Sequence, residues 1–411
     1  MRVPEPEQSG PRRESYNPPV PPLQARIETL LAEIPAEELA QLSATRRDFH
    51  AHPELAYEER RTAGIVAERL AGLGLAPRTD VGRTGVFADA GPSRGRLMIR
   101  ADMDALPLEE ATGQPFASKT PGRMHACGHD GHMAIGLAVA ERLTRDAPER
   151  GLRFLHQPAE EGQGGAEACV RDGALEGVEA VLGLHLWSGL PVGKIGLNRG
   201  ALMAAVDEFT IEIEGPGGHG AMPHETVDPI LAAARIIESL QSIVSREISP
   251  LDSAVVTISR IQGGTAFNII PKSVTLQGTA RSFTPEAGRA LPEKLARIVQ
   301  GTAAACGVTA RIRYERLNGA TVNDPRIAEM VLTSAARVVG EENVETDTRS
   351  LAGEDMSAYL ERVPGCFFFV GCAPEGEPRP HHSPRFDMDE RALGVGVAVL
   401  EAAARDIARR L

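Results

Sequence analysis

Apolar and polar positions follow a helical period over residues 23–73 and a strand period soon after. Apolar residues recur at helical spacing in 23–42 and 46–73, the second stretch running from Glu58 to Leu73 and stopping at Gly72 and Gly74. This pattern predicts two helices packed on the surface of a core. Strands and helices are then predicted to alternate, with strands over 85–88, 96–100, 152–156 and 180–185 and helices over 132–143 and 166–170. Such alternation predicts an α/β layered domain.

The pattern changes near Val206, where polar and apolar residues alternate singly through Glu214. Further strands are predicted over 254–261, 273–282 and 309–315, and helices over 229–244 and 286–305. From Asp324 the earlier alternation resumes, over 325–339, 365–371 and 390–411. The prediction is an α/β fold: a discontinuous catalytic domain of 23–204 and 319–411, with a central mixed sheet flanked by helices, and a smaller inserted α+β domain of 205–318.

Composition narrows the class of protein. A chain of 411 residues exceeds the size at which one core keeps growing, so two domains are expected. Residues 1–22 are rich in proline and charge and are predicted to form a disordered arm without a secretory signal. A net charge of -12 argues against nucleic-acid or membrane partners. Five widely spaced cysteines do not suggest a disulfide framework, which favours the cytoplasm.

Metal-binding residue types gather around the segment HACGHD at 125–130 and in later segments. A thiolate, imidazoles and a carboxylate suit borderline divalent ions such as Zn, Mn, Co or Ni better than Ca or Mg. A pair of such ions needs several ligands and a water that loses its proton near neutral pH. Five residues supply candidate ligands, with Glu160 beside them as candidate general base: Cys127, His129, Glu161, His185 and His382.

Each of these residues also has a plainer interpretation when it is taken alone. A single cysteine such as Cys127 is more often a core residue, and paired glutamates such as Glu160–Glu161 often form a solvated loop. His185 lies in an apolar run, where a hydrogen-bonded core histidine is more usual, and His381–His382 could be a surface pair. Only their combination favours a metal site.

Eight ordered segments from about residue 45 to the C-terminus resemble the M20 metallopeptidase family, in its amidohydrolase branch of aminoacylase-like, hippurate hydrolase and auxin-conjugate hydrolase enzymes. These segments are RRDFHAHPEL at 46–55, RADMDALPLEE at 100–110, MHACGHDGH at 124–132, QPAEEG at 157–162, GLHLW at 183–187, GGHGAMPH at 217–224, FNIIP at 267–271 and HHSP at 381–384.

The resemblance implies that the five candidate ligands bind two divalent metal ions, with Cys127 as the chosen bridge, and that Glu160 is the base. It implies that Asp102 and Asp104 orient imidazoles, although a polar strand-end turn explains them equally well. The insert resembles a lid or dimerisation domain. There, His219 is expected to reach across a dimer to the scissile carbonyl, and Asn268 and Arg281 to hold a substrate carboxylate.

The expected activity is hydrolysis of the amide bond of N-acyl amino acids by a homodimer or higher homo-oligomer. A dipeptidase or carboxypeptidase with the same site is the alternative enzyme, and a catalytically inactive metal-binding relative is the alternative outside enzymes. One departure concerns 351–356, where many relatives have a Gly-Ser/Ala-Glu-Asp-Phe run, and the change is expected to affect the substrate pocket.

Overall fold

The computed structural model describes residues 23–410 except Arg94, 146–149 and Glu377. The predicted N-terminal arm, residues 1–22, lies outside the described residues. The helices of the described part are α1 Leu23–Ala32, α2 Ala36–Ala51, α3 Arg60–Gly72, α4 His129–Arg145, α5 Gly165–Arg171, α6 Pro229–Ser242, α7 Pro285–Cys306, α8 Pro325–Val339, α9 Ser357–Leu360 and α10 Arg391–Ala408.

The strands carry the two sheets and a few short pairings. They are β1 Arg78–Val81, β2 Gly85–Ala90, β3 Arg96–Asp102, β4 Leu152–Gln157, β5 Val178–Pro191, β6 Ile195–Gly196, β7 Ala201–Met203, β8 Ala205–Glu214, β9 Gly218–His219, β10 Ala254–Gly263, β11 Ile269–Ile270, β12 Ser273–Ser282, β13 Thr309–Asn318, β14 Thr321–Val322, β15 Val344–Glu345 and β16 Gly365–Ala373.

The first two predicted helices are wrong in number, because 23–73 forms three helices. The breaks fall at Pro35, which precedes α2, and at Pro53, which follows it. Proline lacks a backbone donor and disfavours a helical conformation in the residue before it. The helical period of apolar positions can therefore continue past a proline at which the helix itself ends.

The larger sheet is mixed and has eight strands in the order β1-β2-β4-β3-β5-β16-β6-β15. Its central strands β4, β3, β5 and β16 run parallel to one another, whereas β1, β2 and β6 pair in the antiparallel sense. The strand predicted to end at His185 continues to Pro191, because β16 pairs with it along this length. His185 thus lies inside β5 and not at its end.

The smaller sheet is antiparallel and has four strands in the order β10-β12-β8-β13. Helices α6 and α7 cover one of its faces and form a separate hydrophobic core with residues such as Phe209, Ile211, Leu276 and Leu295. All four strands come from 205–318. We propose that the domains follow the two sheets, with 205–318 inserted between the halves 23–204 and 319–411.

Helices cover both faces of the larger sheet. One face packs against α2, α3, α4, α8 and α10 in a core that includes Phe49, Leu137 and Phe368. The other face packs against α5 and α9 around Phe367 and Tyr359. The predicted α/β architecture, with a central mixed sheet flanked by helices, is confirmed. No helix in the described part of the chain has the length and apolar character to cross a membrane.

Candidate metal centre

The candidate ligands meet where the central strands of the larger sheet end. Adjacent strands β3 and β4 run parallel, so Asp102 at the end of β3 and the loop after β4 lie at one edge. That loop carries Glu160 and Glu161. Helix α4 begins at His129, directly after the segment that carries Cys127. Open α/β sheets bind ligands in the crevice outside the carboxyl ends of their strands.

Cys127, His129 and His185 form a buried triad whose ligand atoms all lie within 4.8 Å of one another. The Cys127 Sγ atom is 3.5 Å from Nε2 of His185. Gly128, between the first two members, adopts a φ of +94°, a conformation that glycine takes without steric cost. The tight turn brings the thiol and the following imidazole towards one point.

The ring orientations of both histidines leave one nitrogen free to bind a metal. Nδ1 of His129 donates to the carbonyl oxygen of Asp104 at 2.8 Å, and Nδ1 of His185 donates to the carbonyl oxygen of Leu186 at 2.8 Å. Nε2 of His129 is buried and has no hydrogen-bond partner among the described residues. A carbonyl that accepts from one ring nitrogen leaves the other with a lone pair for a metal. These residues therefore fit a bound metal ion.

A second triad, formed by Cys127, Glu161 and His382, is open to solvent on one side. Nε2 of His382 lies 3.3 Å from Cys127 Sγ and 3.2 Å from Oε1 of Glu161. The loop that carries His382 is tied to the first triad, because the His382 N–H donates to the Ala126 carbonyl at 2.8 Å. The His382 side chain is more than half exposed. Cys127 thus belongs to both triads.

Glu160 lies beside these ligands in a buried position. Its carboxylate groups with those of Glu161 and the ring of His129, and its Oε2 lies 4.0 Å from His129 Nε2. Burial, together with the negative charges of Glu354, Glu161 and Asp355, raises the pKa of Glu160 well above the usual range. A carboxylate in such surroundings accepts a proton readily, as a general base must.

The surroundings of the two triads favour positive charge. Burial lowers the pKa of His129, but the negative charges of Asp102 and Asp104 outweigh it and raise that pKa to about 10. Burial and the nearby Glu161 and Glu160 raise the pKa of the Cys127 thiol well above its usual range. A divalent cation in this position would offset the same negative charge and displace these protons.

Asp102 and Asp104 orient different parts of the site. The Asp104 carbonyl fixes the ring of His129, while its carboxylate accepts the backbone N–H groups of Glu160 and Glu161, each at 3.0 Å. Asp102 Oδ1 accepts from Nδ1 of His132 at 2.6 Å. Nε2 of His132 in turn accepts the backbone N–H of Leu186 at 2.8 Å. These two hydrogen bonds therefore connect Asp102 through His132 to the backbone of Leu186, the residue that follows His185.

Sequence reasoning missed a buried arginine beneath the site. Arg100 is fully buried and donates to Asp102 at 2.7 Å, to Glu354 at 2.8 Å and to Asp355 at 2.9 Å. The backbone N–H of Asp355 also donates to Oε1 of Glu160 at 3.4 Å. The signal in the sequence was an arginine inside the apolar strand 96–100, which needs buried acidic partners.

The same contacts alter the interpretation of 351–356. This segment was expected to contribute to the substrate pocket. Glu354 and Asp355 instead lie buried beneath Glu160 and pair with Arg100. Glu354 and Asp355 are common to this chain and to the Gly-Ser/Ala-Glu-Asp-Phe run of the relatives, so the departure lies at Ala352, Gly353 and Met356 beside them.

The structure does not bring the three predicted residues of the insert to the metal ligands. His219 and Asn268 are exposed neighbours on β9 and the turn before β11, and both line an open cleft of about 1090 Å³. Arg281 lies on β12 and donates to Thr279 and to the Ala280 carbonyl. Within the described ranges, no hydrogen bond or ion pair joins these three side chains to the two triads.

Comparison with known proteins identifies the family of this chain. The sequence profile described as peptidase family M20/M25/M40 matches residues 98–406. The chain is 42% identical over 357 residues to an N-acetyl-L-cysteine deacetylase of Bacillus subtilis (strain 168), covering 86% of this chain and 85% of the relative. It is 38% identical over 366 residues to thermostable carboxypeptidase 1 of Saccharolobus solfataricus, covering 85% of this chain and 91% of that relative.

A solved structure of the same family is similar to this chain in fold. The Bacillus subtilis YXEP protein, described as a dinuclear metal-binding peptidase from the M20 family, superposes with a TM-score of 0.81. It is 36% identical in sequence, and the match covers 92% of this chain and 100% of that one.

Proposed function

Because the chain belongs to peptidase family M20/M25/M40 and is a hydrolase of amide bonds, we propose that it cleaves the amide bond of N-acyl amino acids at the candidate metal centre. The observation that carries this proposal is the pair of ligand triads that share Cys127, with the buried carboxylate of Glu160 directly beside them. Because Cys127 belongs to both triads, its thiolate would help to hold both ions.

The residues of the centre divide into two sets of ligands. Cys127, His129 and His185 would hold one ion, and Cys127, Glu161 and His382 the other. Two divalent ions, of the Zn, Mn, Co or Ni type, would polarise the scissile carbonyl and lower the pKa of a water molecule.

Glu160 then moves the proton between water and substrate. Its carboxylate accepts a proton from the attacking water and delivers it to the nitrogen of the departing amine, which leaves as an amino acid. Burial and its acidic neighbours raise the affinity of this carboxylate for a proton, so the same group can take the proton from water and hold it until the amine leaves. Arg100 pairs with the buried carboxylates of Asp102, Glu354 and Asp355 and so stabilises the part of the site on which Glu160 packs.

We propose that the insert of a second subunit completes this site. His219 and Asn268 are exposed and make no contact with the triads of their own subunit in the described part of the chain, which supports a role on a partner. His219 would donate to the developing oxyanion, and Asn268 and Arg281 would bind the substrate carboxylate. The proposed assembly is a homodimer or higher homo-oligomer.

N-acyl amino acids are the proposed substrates because a close relative is named an N-acetyl-L-cysteine deacetylase. A relative named a carboxypeptidase supports peptides as the second candidate. The two classes differ in the group on the acyl side, which is a simple acid in one and an amino acid in the other. We propose the cytoplasm as the compartment, because the cysteines are widely spaced and all five thiols are free.

The test is hydrolysis of a panel of acetyl, benzoyl and longer acyl amino acids beside dipeptides, with elemental analysis of the purified protein. We expect higher kcat/KM on the acyl amino acids and two metal ions per chain. A preference for dipeptides would favour the peptidase alternative, and a metal-loaded protein without activity on the whole panel would favour an inactive relative.

Two neighbouring variants separate the base from the ligand. Glu160→Gln keeps the shape of the side chain but cannot take a proton, so turnover should fall at least ~10³-fold while metal content stays unchanged. Glu161→Gln, one residue later, should lower metal content instead. Most of the wild-type activity remaining in Glu160→Gln would contradict the assignment of the base.

A further inference from the structure

Glu59 is a buried carboxylate that reaches the loop of the proposed base from a distant part of the chain. The residue is 0% exposed and lies just before α3. Its Oε1 accepts the backbone N–H of Ala159 at 2.9 Å, and its Oε2 accepts from Oγ1 of Thr84 at 2.6 Å. Ala159 immediately precedes Glu160.

Capping of helix α3, which follows Glu59, does not explain the position of its carboxylate. Glu59 is the N-cap residue of α3, but its side chain makes no capping hydrogen bond. Glu54 caps the helix instead, because its two oxygens accept from the backbone N–H groups of Arg61 at 3.0 Å and Thr62 at 2.8 Å. The carboxylate of Glu59 is therefore available for the loop at 159–161.

Stability does not account for it either. The structure shows no ion pair to Glu59 within residues 23–410 as described. A buried carboxylate without a cationic partner costs free energy that two hydrogen bonds offset only in part. The contact of this carboxylate with the loop of Glu160 therefore points to a role in the site.

The loop it contacts is held in an unusual conformation. Ala159 has a φ of +54°, in the left-handed region that a residue other than glycine adopts only at a steric cost. Three consecutive backbone N–H groups of this loop are bound by two buried carboxylates: that of Ala159 by Glu59, and those of Glu160 and Glu161 by Asp104.

We propose that Glu59 is a positioning residue for the proposed base. By binding the N–H of Ala159 it stabilises the left-handed conformation there, and this conformation sets the direction in which the Glu160 carboxylate leaves the backbone. Glu161 depends on it less, because it lies one residue further from Ala159 and its carboxylate pairs with His382. Glu59 thus acts on proton transfer and not on metal binding. This inference rests on the proposed role of Glu160.

The test replaces Glu59 in the metal-loaded enzyme and measures kcat, KM and metal content. In Glu59→Ala the loop loses its hydrogen bond, so kcat should fall roughly 10- to 100-fold, the size expected when a reacting group is displaced by about 1 Å. KM should change by less than about twofold, and metal content should equal that of the wild type. In Glu59→Gln the amide oxygen still accepts from Ala159, and kcat should recover to within about threefold of the wild type.

Glu54→Ala is the matched control, because it removes a glutamate from the same turn and lowers stability without touching the loop. It should lower the unfolding midpoint while kcat per folded molecule stays within about twofold of the wild type. Equal kcat losses in Glu54→Ala and Glu59→Ala, or a Glu59→Gln variant as impaired as Glu59→Ala, would overturn the inference.

Glu160→Gln, measured in the same series, separates this inference from the function on which it rests. If Glu160→Gln keeps its activity, the proposed base is wrong and Glu59 loses its assigned role with it. If Glu160→Gln is inactive while Glu59→Ala turns over normally, the proposed function stands and the inference about Glu59 alone is wrong.

Discussion

Hydrogen bonds decide what each histidine near the centre can do. His129 and His185 each donate from Nδ1 to a backbone carbonyl, so each presents Nε2 towards Cys127. His132 uses both nitrogens, one for Asp102 and one for the Leu186 N–H. His132 is as buried as His129 and His185 but has no nitrogen left for a metal. Its role is to support the strand that carries His185.

His156 gives a prediction at this scale, because neither of its ring nitrogens has a partner in the described structure. Burial lowers its pKa to about 4. The unfolded imidazole has a pKa near ~6.5, so the unfolded state binds more protons as pH falls from ~6.5 to ~4 and the folded state loses stability in that window. In His156→Leu, the loss of unfolding free energy between pH 7 and pH 5 should shrink by about 2 kcal/mol.

Urea unfolding at the two pH values measures this difference. His224→Leu, which replaces an exposed histidine, serves as the control and should follow the wild type. An identical pH dependence in His156→Leu and the wild type would show that His156 does not carry the acid sensitivity.

At the scale of elements, helix α2 holds the start of α4, where the candidate ligand His129 lies. Arg46 of α2 is buried and donates to Asp130, the second residue of α4, at 2.8 Å. His50, one turn further along α2, donates to the same carboxylate at 2.8 Å. Burial lowers the pKa of His50, but hydrogen bonds to Asp130 and Glu110 outweigh it and raise that pKa to about 9.

Two adjacent arginines of α2 therefore differ in their effect on stability. Arg46→Ala should lower the free energy of unfolding by about 3–5 kcal/mol, because it leaves Asp130 buried without its main cation. Arg47 is half exposed and pairs with Glu390 at 2.7 Å, so Arg47→Ala should cost less than about 1 kcal/mol. Denaturant unfolding of the two variants tests this, and comparable losses would contradict the assignment of Asp130 to Arg46.

At the scale of the whole molecule, the candidate metal centre and the candidate substrate residues belong to different sheets. The triads lie at the edge of the eight-stranded sheet, and Asn268 and His219 lie beside the four-stranded sheet. Large apolar side chains are exposed around the latter, including Phe267, Ile269 and Ile261. An exposed apolar surface of this kind favours contact with another protein surface.

Subunit mixing tests whether the site is shared between two copies. Glu160→Gln and His219→Ala should each be inactive alone. After exchange of subunits, a mixed dimer has one site with Glu160 from one chain and His219 from the other, so activity should return to about one quarter of the wild type in an equimolar mixture.

The control is a mixture of Glu160→Gln with Glu161→Gln, in which no site receives both intact carboxylates and activity should stay absent. A monomer by light scattering, or no recovery after proven subunit exchange, would place His219 outside the reaction.

Much of the fold could be read from local pattern. The period of apolar residues predicted strand 273–282 and helix 325–339 with the bounds that the structure has, because each of these elements buries one continuous face. The pattern did not show the breaks at Pro35 and Pro53 or the continuation of β5 beyond His185. The first depend on backbone chemistry inside an unbroken period, and the second depends on pairing with β16, which is far away in sequence.

Eight ordered segments were enough to predict the family, which the comparisons confirm. Residue types alone predict the kind of ions that the centre would hold, because thiolate, imidazole and carboxylate groups have intrinsic metal preferences. Which of these groups converge depends on contacts between residues up to 255 positions apart, as between Cys127 and His382. The same is true of Arg100 with Asp355 and of Glu59 with Ala159. Hydrogen bonds and ion pairs act over a few ångströms of space, and only the folded chain decides which side chains come that close.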